Sequence, residues 1–414
     1  MKFEEYHIAE GIKKSIAKQG FKKPTDIQFK SIPAILNGED VLAIAQTGTG
    51  KTAAFVIPII HKIHIKKLIK QSNGVKCLVM APTHELALQI DTVFRNLSNH
   101  TKVISYCVHG GVDRDPQIEK LEDGVDVVIA TPGRLFDLAK RQVLDLRNIE
   151  ILVLDEADHM LDLGFIEDIK MLMRFIPKDR QTLFFSATID EKIKKLAYAM
   201  IDKKSAIRIQ ISPKDPVAKN IEHAVAFIEM DDKRFFLANF IANHPQQKIL
   251  VFVRTKVRAE RVKKALAREE VKAETLHGDK LQSERDEAMR AFRQGDNLIL
   301  IATDISARGI DIPNVEYVIN YDLPESSEHY IHRVGRTGRG TNKGQALSFC
   351  STEELTLLAE LDRDLGKPIM RLELSKGDYA LTIEEQKEAL KTDWQSLIAA
   401  EEESFNKKRK KKKR

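Results

Sequence analysis

Short runs of Val, Ile, Leu and Ala punctuate the chain, and between them lie longer stretches with apolar residues at helical spacing. A strand covered on both faces has no solvated side and reads as a continuous apolar run, so this rhythm predicts parallel sheets flanked by helices. The first half predicts strands at VLAIA (41–45), CLVMA (77–81), VISYCV (103–108), VDVVIA (125–130), ILVL (151–154) and TLFF (182–185). The second half repeats the rhythm at HAVAFI (223–228), ILVFV (249–253), ETL (274–276), LILIA (298–302), VEYVIN (315–320) and ALSF (346–349). SPKDPVAKN, residues 212–220, separates the halves with two prolines and no apolar period, which predicts a linker. The expected organisation is an α/β domain over 1–211, a second over 221–375, and a charged extension over 376–414.

In open α/β sheets, ligands bind beyond the carboxyl ends of the strands. Those positions hold GTGKT, PTHE, HGG, TPGR, DEAD and SAT in turn. AQTGTGKT, Ala45 to Thr52, follows a predicted strand and opens a helical stretch, the context a phosphate-binding loop needs. Backbone N–H groups around Gly48 and Gly50 would cradle phosphates at a helix N-terminus, Lys51 would reach the β- and γ-phosphates, and Thr52 would ligate Mg²⁺. Gln46, Thr47 and Thr49 complete the loop. Ala45 stands where such loops usually begin with glycine, and a small residue still permits the turn. Pro58 is expected to kink the helix that follows.

Asp155 closes ILVL at the end of a buried strand, where an ionised carboxylate needs a cationic partner. Phosphate-bound Mg²⁺ would be that partner. Glu156 is placed to orient the water that attacks the γ-phosphate. The second half has no GxxxxGK loop of its own, so one nucleotide site is expected to serve two domains. HRVGRTGR, His332 to Arg339, sets Arg333, Arg336 and Arg339 three apart, which on a helix is one face of mutually repelling charge. Their expected target lies in the other domain, where charge develops on the transferred phosphoryl group. Arginine fingers of this kind are worth about 10³–10⁵ in rate. Activity would then depend on domain closure about the 212–220 linker.

Composition narrows the class. A chain of 414 residues, 43% hydrophobic and 31% charged, suits a globular protein of about two or three domains. Cys77, Cys107 and Cys350 lack any CxxC spacing, which argues against a disulfide framework or zinc site and for a reducing compartment. No apolar run approaches the ~20 residues of a membrane span, and the charged start MKFEEYHIAE has no signal region, so a cytoplasmic location is expected. His61 and His64 have no third ligand in view and do not predict a metal. The net charge is +6, but the last eight residues, KKRKKKKR (407–414), carry +8 and leave −2 for the rest. Such a run repels itself and suits a polyanion anchor, a nuclear targeting signal or a solubility tag. As an RNA tether it would add at most about −5 to −6 to the log–log salt slope.

Taken in order, these motifs resemble one family, the DEAD-box ATP-dependent RNA helicases, and the compact length resembles its bacterial RhlE-type members. FKKPTDIQ (21–28) resembles the Q motif, AQTGTGKT motif I, PTHELALQ (82–89) motif Ia, and Gly110-Gly111 the GG element. TPGR (131–134), DEAD (155–158) and SAT (186–188) are similar to motifs Ib, II and III. HGDKLQSER (277–285), TDISARGID (303–311) and HRVGRTGR resemble the remaining elements. The resemblance implies two tandem RecA-like domains that bind ATP and Mg²⁺, hydrolyse ATP and remodel RNA duplexes. It implies that Phe21 stacks on adenine, that Gln28 bonds its edge, and that Gly309 and Asp311 contact ATP from the second domain. Arg336 and Arg339 would be the fingers, while Ser186, Thr188 and His332 would bond Asp158 and couple hydrolysis to domain position. The implied RNA contacts are Thr83, Gly111, Thr131, Gly133 and Arg134, with Gly278, Gln282, Arg285 and Thr303 in the second half. Hydroxyls, amides and bare backbone N–H groups suit phosphate and 2′-OH recognition, so the expectation is sequence-independent RNA binding by a monomer, with ribonucleoprotein partners adding specificity.

Two positions depart from the family pattern. His84 stands where PTRELA has Arg, which weakens one phosphate contact or makes it pH-dependent. Ser306 replaces a usual Ala, with little effect expected. A DNA translocase on the same paired domains and a non-enzymatic ATP-gated RNA clamp are the alternatives. The Q-motif match favours RNA over the first, and Glu156, Arg336 and Arg339 weigh against the second.

Overall fold

A computed structural model of the chain describes residues 2–46, 48–69, 74–201, 205–211, 217, 220–307, 315–338, 343–375, 377 and 379–384. Thr47, Gly309, Asp311, Arg339, most of the 212–220 linker, and most of the C-terminal extension, with Trp394 and the basic run, lie outside the described residues. The chain forms two compact units, one over Met1–Lys214 and the other beginning at Asp215.

The first unit holds strands β1 (Val41–Ala45), β2 (Cys77–Met80), β3 (Ser105–Val108), β4 (Val127–Ala130), β5 (Ile151–Leu154), β6 (Gln181–Ser186) and β7 (Ile207–Ile211). The second holds β8 (Ile221–Phe227), β9 (Ile249–Phe252), β10 (Glu274–Leu276), β11 (Ile299–Ala302), β12 (Tyr317–Asn320), β13 (Gly344–Cys350) and β14 (Met370–Leu372). The sheet orders are β3-β4-β2-β5-β6-β1-β7 and β10-β11-β9-β12-β13-β8-β14. Adding seven to each strand number turns the first order into the second, so the two units repeat one topology. The pairings within both sheets are parallel.

The apolar runs are continuous because each sheet is covered twice. Val41, Ala43 and Ala45 face one core layer together with Phe55 and Phe185, whose rings lie 5.2 Å apart. Leu42 and Ile44 face the opposite layer, with Leu78, Leu152 and Phe184. The helix Lys51–Ile69 covers the first face, and Pro58 is accommodated inside it without ending it. β7 and β14 have no counterpart among the strands predicted from apolar runs. β7 alternates Ile207, Ile209 and Ile211 with Arg208 and Gln210, the pattern of an edge strand with a solvated side. β14 has three exposed residues and no apolar run to read.

One buried cation ties the second sheet to its loops. Lys233 Nζ donates to Tyr321 O (2.8 Å), Phe349 O (3.1 Å) and Glu354 (2.5 Å). Burial pushes Glu354 up, but Lys233 and the amides of Ser351 and Leu323 outweigh it and hold the carboxyl below its ordinary range. No helix among the described residues is long and apolar enough to cross a membrane.

Candidate functional site

In the first sheet, β1, β6 and β5 are neighbours, and each ends in a group suited to a polyphosphate. The loop after β1 turns through Gly48 (φ +80°) and Gly50 (φ +90°) into the helix Lys51–Ile69. A Cβ on Gly50 would be strained by its backbone and would stand 2.5 Å from Gln28 Nε2, so any side chain there would displace that amide. Gln28 explains the close approach: its Nε2 donates to Gly50 O (3.1 Å) and its Oε1 accepts from Thr25 N (3.0 Å). The residue expected to read adenine thus also braces the phosphate loop, as Thr49 Oγ1 does by donating to Gln46 O (2.7 Å). Phe21 is 42% exposed, with its ring 6.5 Å from that of Phe3.

Lys51 is 6% exposed, and its Nζ makes no hydrogen bond. An unbonded buried ammonium is expensive unless something anionic belongs beside it. Asp155, 2% exposed after β5, is an opposing charge that acts on it, and burial pushes that carboxyl up to about 7 against the pull of Lys51. Its Oδ1 accepts from Glu156 N (3.0 Å). A buried lysine without a partner, a carboxyl destabilised by desolvation and two left-handed glycines fit a triphosphate with a divalent cation. Among the described residues no three His, Cys, Asp or Glu side chains cluster to hold a metal. A cation here would draw most of its shell from phosphate and water, the habit of Mg²⁺.

The raised Asp155 has a stability consequence. Its folded pKa lies above the ~3.9 of an unfolded chain, so its contribution is present at low pH and is lost as pH rises through about 7. Asp155→Asn is therefore expected to raise the unfolding temperature of the nucleotide-free protein at pH 8, by roughly 2–4 °C per kcal/mol recovered. Thermal scans at pH 8 and pH 5 check this; the gain shrinks towards the lower pH, and a loss at pH 8 contradicts the assignment.

Glu156 follows in the left-handed region (φ 51°, ψ 52°), a conformation that costs a non-glycine residue roughly 1–3 kcal/mol. Its Oε2 lies 3.5 Å from His159 Nδ1. The strained residue stands at the head of the helix Ala157–Asp162, and nothing in the residue pattern announces it. Asp158 joins β5 to β6. Its Oδ2 accepts from Ala187 N (2.8 Å), Thr188 N (3.0 Å) and Thr188 Oγ1 (3.3 Å). Ser186, expected in this network, is buried with its hydroxyl unbonded, and the amide of Ala187 takes the place assigned to it. Ser186 is the last residue of β6, so its side chain is set by the pleat and not by the turn.

The other side of the same sheet, β3-β4-β2, ends in different chemistry. After β2, Thr83 caps the helix His84–Ser98 by accepting from Leu86 N (3.3 Å). After β3 comes Gly111 (φ +77°). After β4, Thr131 precedes the helix Pro132–Lys140, which carries Gly133 and Arg134, and Arg134 donates to Val112 O (2.9 Å). In the second sheet, Gly278, Gln282 and Arg285 follow β10, and Arg285 donates to Gln282 Oε1 (3.3 Å). Thr303 follows the neighbouring β11. The edge positions of one sheet and those of its repeat thus carry the expected RNA contacts.

HRVGRTGR divides its labour. The helix Ser327–Val334 ends before Arg336, so the arginines do not share one helical face as expected. Arg333 is 1% exposed and fully engaged: it clamps Asp304 at 2.6 and 2.7 Å, donates to Asp322 O (2.7 Å), and lies 5.2 Å over the Phe252 ring. It is a strut, and its charge is answered. Arg336, also buried, donates from Nε to His332 O (3.1 Å). Gly338 (φ +64°) follows, where a Cβ would meet Ile221 Cγ1 at 2.6 Å, and Thr337 Oγ1 donates to Val315 O (2.6 Å). The glycine lets this turn pack flat on β8 and fixes Arg336 in place.

The family model for DEAD/DEAH box helicases matches residues 25–196, and that for the helicase conserved C-terminal domain matches 232–341. The chain is 40% identical over 379 residues to the ATP-dependent RNA helicase CshA of Listeria monocytogenes, covering 92% of this chain and 72% of that protein. The chain belongs to the DEAD-box ATP-dependent RNA helicases. The DEAD-box helicase RhpA of Helicobacter pylori is 38% identical over 372 residues, 90% of this chain and 74% of that protein. Among solved structures, Dbp5 of S. cerevisiae bound to RNA and ADP BeF3 matches with TM-score 0.80 at 30% identity, covering 94% of this chain and 99% of that one. The DEAD-box helicase Mss116 bound to single-stranded RNA and UDP-BeF matches with TM-score 0.82 at 28% identity, covering 96% and 86%. The paired parallel sheets are those of tandem RecA-like helicase domains.

This DEAD-box helicase accommodates its two departures locally. His84 lies against His109, ring centroids 5.1 Å apart, and against Gly110, so the imidazole belongs to the turn after β3. Ser306 adds a bond that Ala lacks, accepting from Thr303 Oγ1 at 3.4 Å. His61 and His64 are structural: each Nδ1 accepts a backbone N–H, from Ala9 (3.1 Å) and Lys102 (3.2 Å). Burial lowers the pKa of both, which keeps them neutral. Two groups that residue patterns missed, Asp304 and Glu260, engage the motif residues Arg333 and His277. Both partnerships are long-range and carry no spacing signal.

Proposed function

We propose that this DEAD-box helicase binds Mg²⁺·ATP on the loop Ala45–Thr52, hydrolyses it when RNA lies along the strand ends, and uses the cycle to part short RNA duplexes. The observation that carries the reading is the division of the first sheet into a phosphate-type side and a hydroxyl, glycine and arginine side. Lys51 holds the β- and γ-phosphates, since its ammonium is already desolvated and unbonded. Thr52 and Asp155 would hold Mg²⁺, which would supply charge neutralisation to the phosphates. Glu156, held on a left-handed backbone, orients the attacking water. Phe21 and Gln28 select adenine, and Gly309, Asp311, Arg336 and Arg339 complete the site from the second domain when the two close. Asp158, held by the Ala187–Thr188 turn, and His332 link the state of the nucleotide to that closure.

RNA contacts run through Thr83, Gly111, Thr131, Gly133, Arg134, Gly278, Gln282, Arg285 and Thr303. They touch phosphate and ribose, so the enzyme acts on RNA of any sequence as a cytoplasmic monomer, and partner proteins choose its targets.

Glu156→Gln is expected to lower RNA-stimulated ATP turnover by about 10²–10⁴ while preserving ATP-dependent RNA binding. Turnover and RNA affinity measured side by side test it. Full turnover in that variant removes Glu156 from its role, and equal stimulation of the wild type by RNA and DNA removes the preference for RNA.

A further inference from the structure

The helix Lys256–Arg268 carries six cations, Lys256, Arg258, Arg261, Lys263, Lys264 and Arg268, against one acid, Glu260. That concentration is not general basicity, because the chain before its last eight residues has a net charge of −2. Three of the six are answered, Lys256 by Asp279 (2.7 Å), Lys263 by Glu274 (2.8 Å) and Arg258 by Asp322 (3.5 Å). Glu260 answers none of the rest, since it turns inward to accept from Thr275 Oγ1 (2.6 Å) and to meet His277 Nε2 (2.9 Å). Arg261, Lys264 and Arg268, with Arg234 from the helix Lys233–Ala242, make no ion pair among the described residues. Arg261 and Lys264 are three apart and Lys264 and Arg268 four apart, neighbours on one helical face whose like charges destabilise the helix.

Two clefts flank this ridge. One, of about 430 Å³, is walled by Arg234, Arg258, Arg261, Lys264 and Arg268, with Asp231 its one acid. The other, of about 340 Å³, reaches the His277–Asp279 turn that carries Gly278. Arg261 and Lys264 wall both clefts, so cations unpaired among the described residues link the cleft beside the His277–Asp279 turn, whose acids Asp279 and Glu260 are already engaged, to the cleft that reaches Arg234. The only aromatic ring of the larger cleft, Tyr321, is buried, so that cleft offers no exposed aromatic anchor of the kind protein partners favour, and Val257 in the smaller cleft is the one strongly exposed apolar side chain of the ridge. From Arg258 to Arg268 the helix rises about 15 Å. That is the axial length of roughly four phosphates of one duplex strand.

We propose that this ridge carries the RNA backbone beyond the strand held by Gly278, Gln282 and Arg285, a phosphate track outside the helicase motifs. The proposal rests on the RNA path given above, and it commits to nucleic acid because charge and continuity with that path are what the surface offers. The like-charge strain is retained because phosphates relieve it.

The test compares the full-length wild type with Arg261→Gln/Lys264→Gln/Arg268→Gln on two RNAs, a short oligonucleotide and the same sequence with a long single-stranded extension. On the extended RNA the triple variant is expected to weaken binding by up to about 100-fold at 0.1 M salt and to make the log–log salt slope less negative by about 2, at ~0.7 per charge. On the short RNA, affinity and stimulated ATPase stay unchanged, and the unfolding temperature stays level or rises. Unchanged affinity and slope on extended RNA overturn the proposal, as does an equal loss on both RNAs. Arg285→Ala separates it from the reading beneath: if that variant binds short RNA normally, the motif-lined path fails whatever the ridge does.

Discussion

Arg336→Ala is expected to lower RNA-stimulated ATP turnover by about 10³–10⁵-fold while leaving the unfolding temperature of the protein within a degree or so of the wild type. The reasoning starts from how the side chain is held. Nε donates to His332 O at 3.1 Å, which fixes the plane of the guanidinium, and Gly338 and Thr337 pin the following turn against β8 and Val315. A planar donor held in one orientation stabilises charge that appears only in the transition state, so its loss falls on turnover more than on nucleotide affinity. Arg336→Lys is expected to recover little, because an ammonium does not reproduce the fork. Steady-state ATPase at saturating RNA, with nucleotide affinity measured separately, decides the matter. A fall of less than tenfold removes Arg336 from the reaction.

Much of this arrangement is legible in the residues, for a physical reason. Both sheets are parallel and doubly covered, so their central strands announce themselves as unbroken apolar runs, and the chemistry sits at their ends in fixed local order. Lys51, Asp155 and Asp158 stand where AQTGTGKT and DEAD place them. What escaped was non-local or conformational. β7 alternates and β14 is exposed, so neither reads as a run. The left-handed turn at Glu156 leaves no compositional trace, since the position holds glutamate and not the glycine that would mark such a backbone. Ser186 was assigned a bond that the pleat of β6 denies it. The charge of Arg333 looked unanswered only because Asp304 lies 29 positions upstream, on the far side of β12 in sequence.

That partnership supports the opposite expectation for the neighbouring arginine of the same motif. Arg333→Met is expected to destabilise the second unit by about 3 kcal/mol, because removing one member of a buried pair strands the other. Asp304 would keep its charge beside the emptied site, 3.8 Å from His329 Nδ1, and the oxygens of Asp322 and Asn320 would lose a donor. The Phe252 ring would lose the guanidinium above it, although a methionine chain replaces some of that contact. For a unit of this size the change corresponds to a fall of roughly 6–12 °C in unfolding temperature. Adding Asp304→Asn is expected to recover part of the loss, since the stranded group is then neutral, and the coupling between the two changes measures the pair itself. Thermal unfolding of the single and double variants provides the check. If Arg333→Met melts within two degrees or so of the wild type while turnover collapses, then Arg333 acts on the reaction and the strut assigned to it here is wrong.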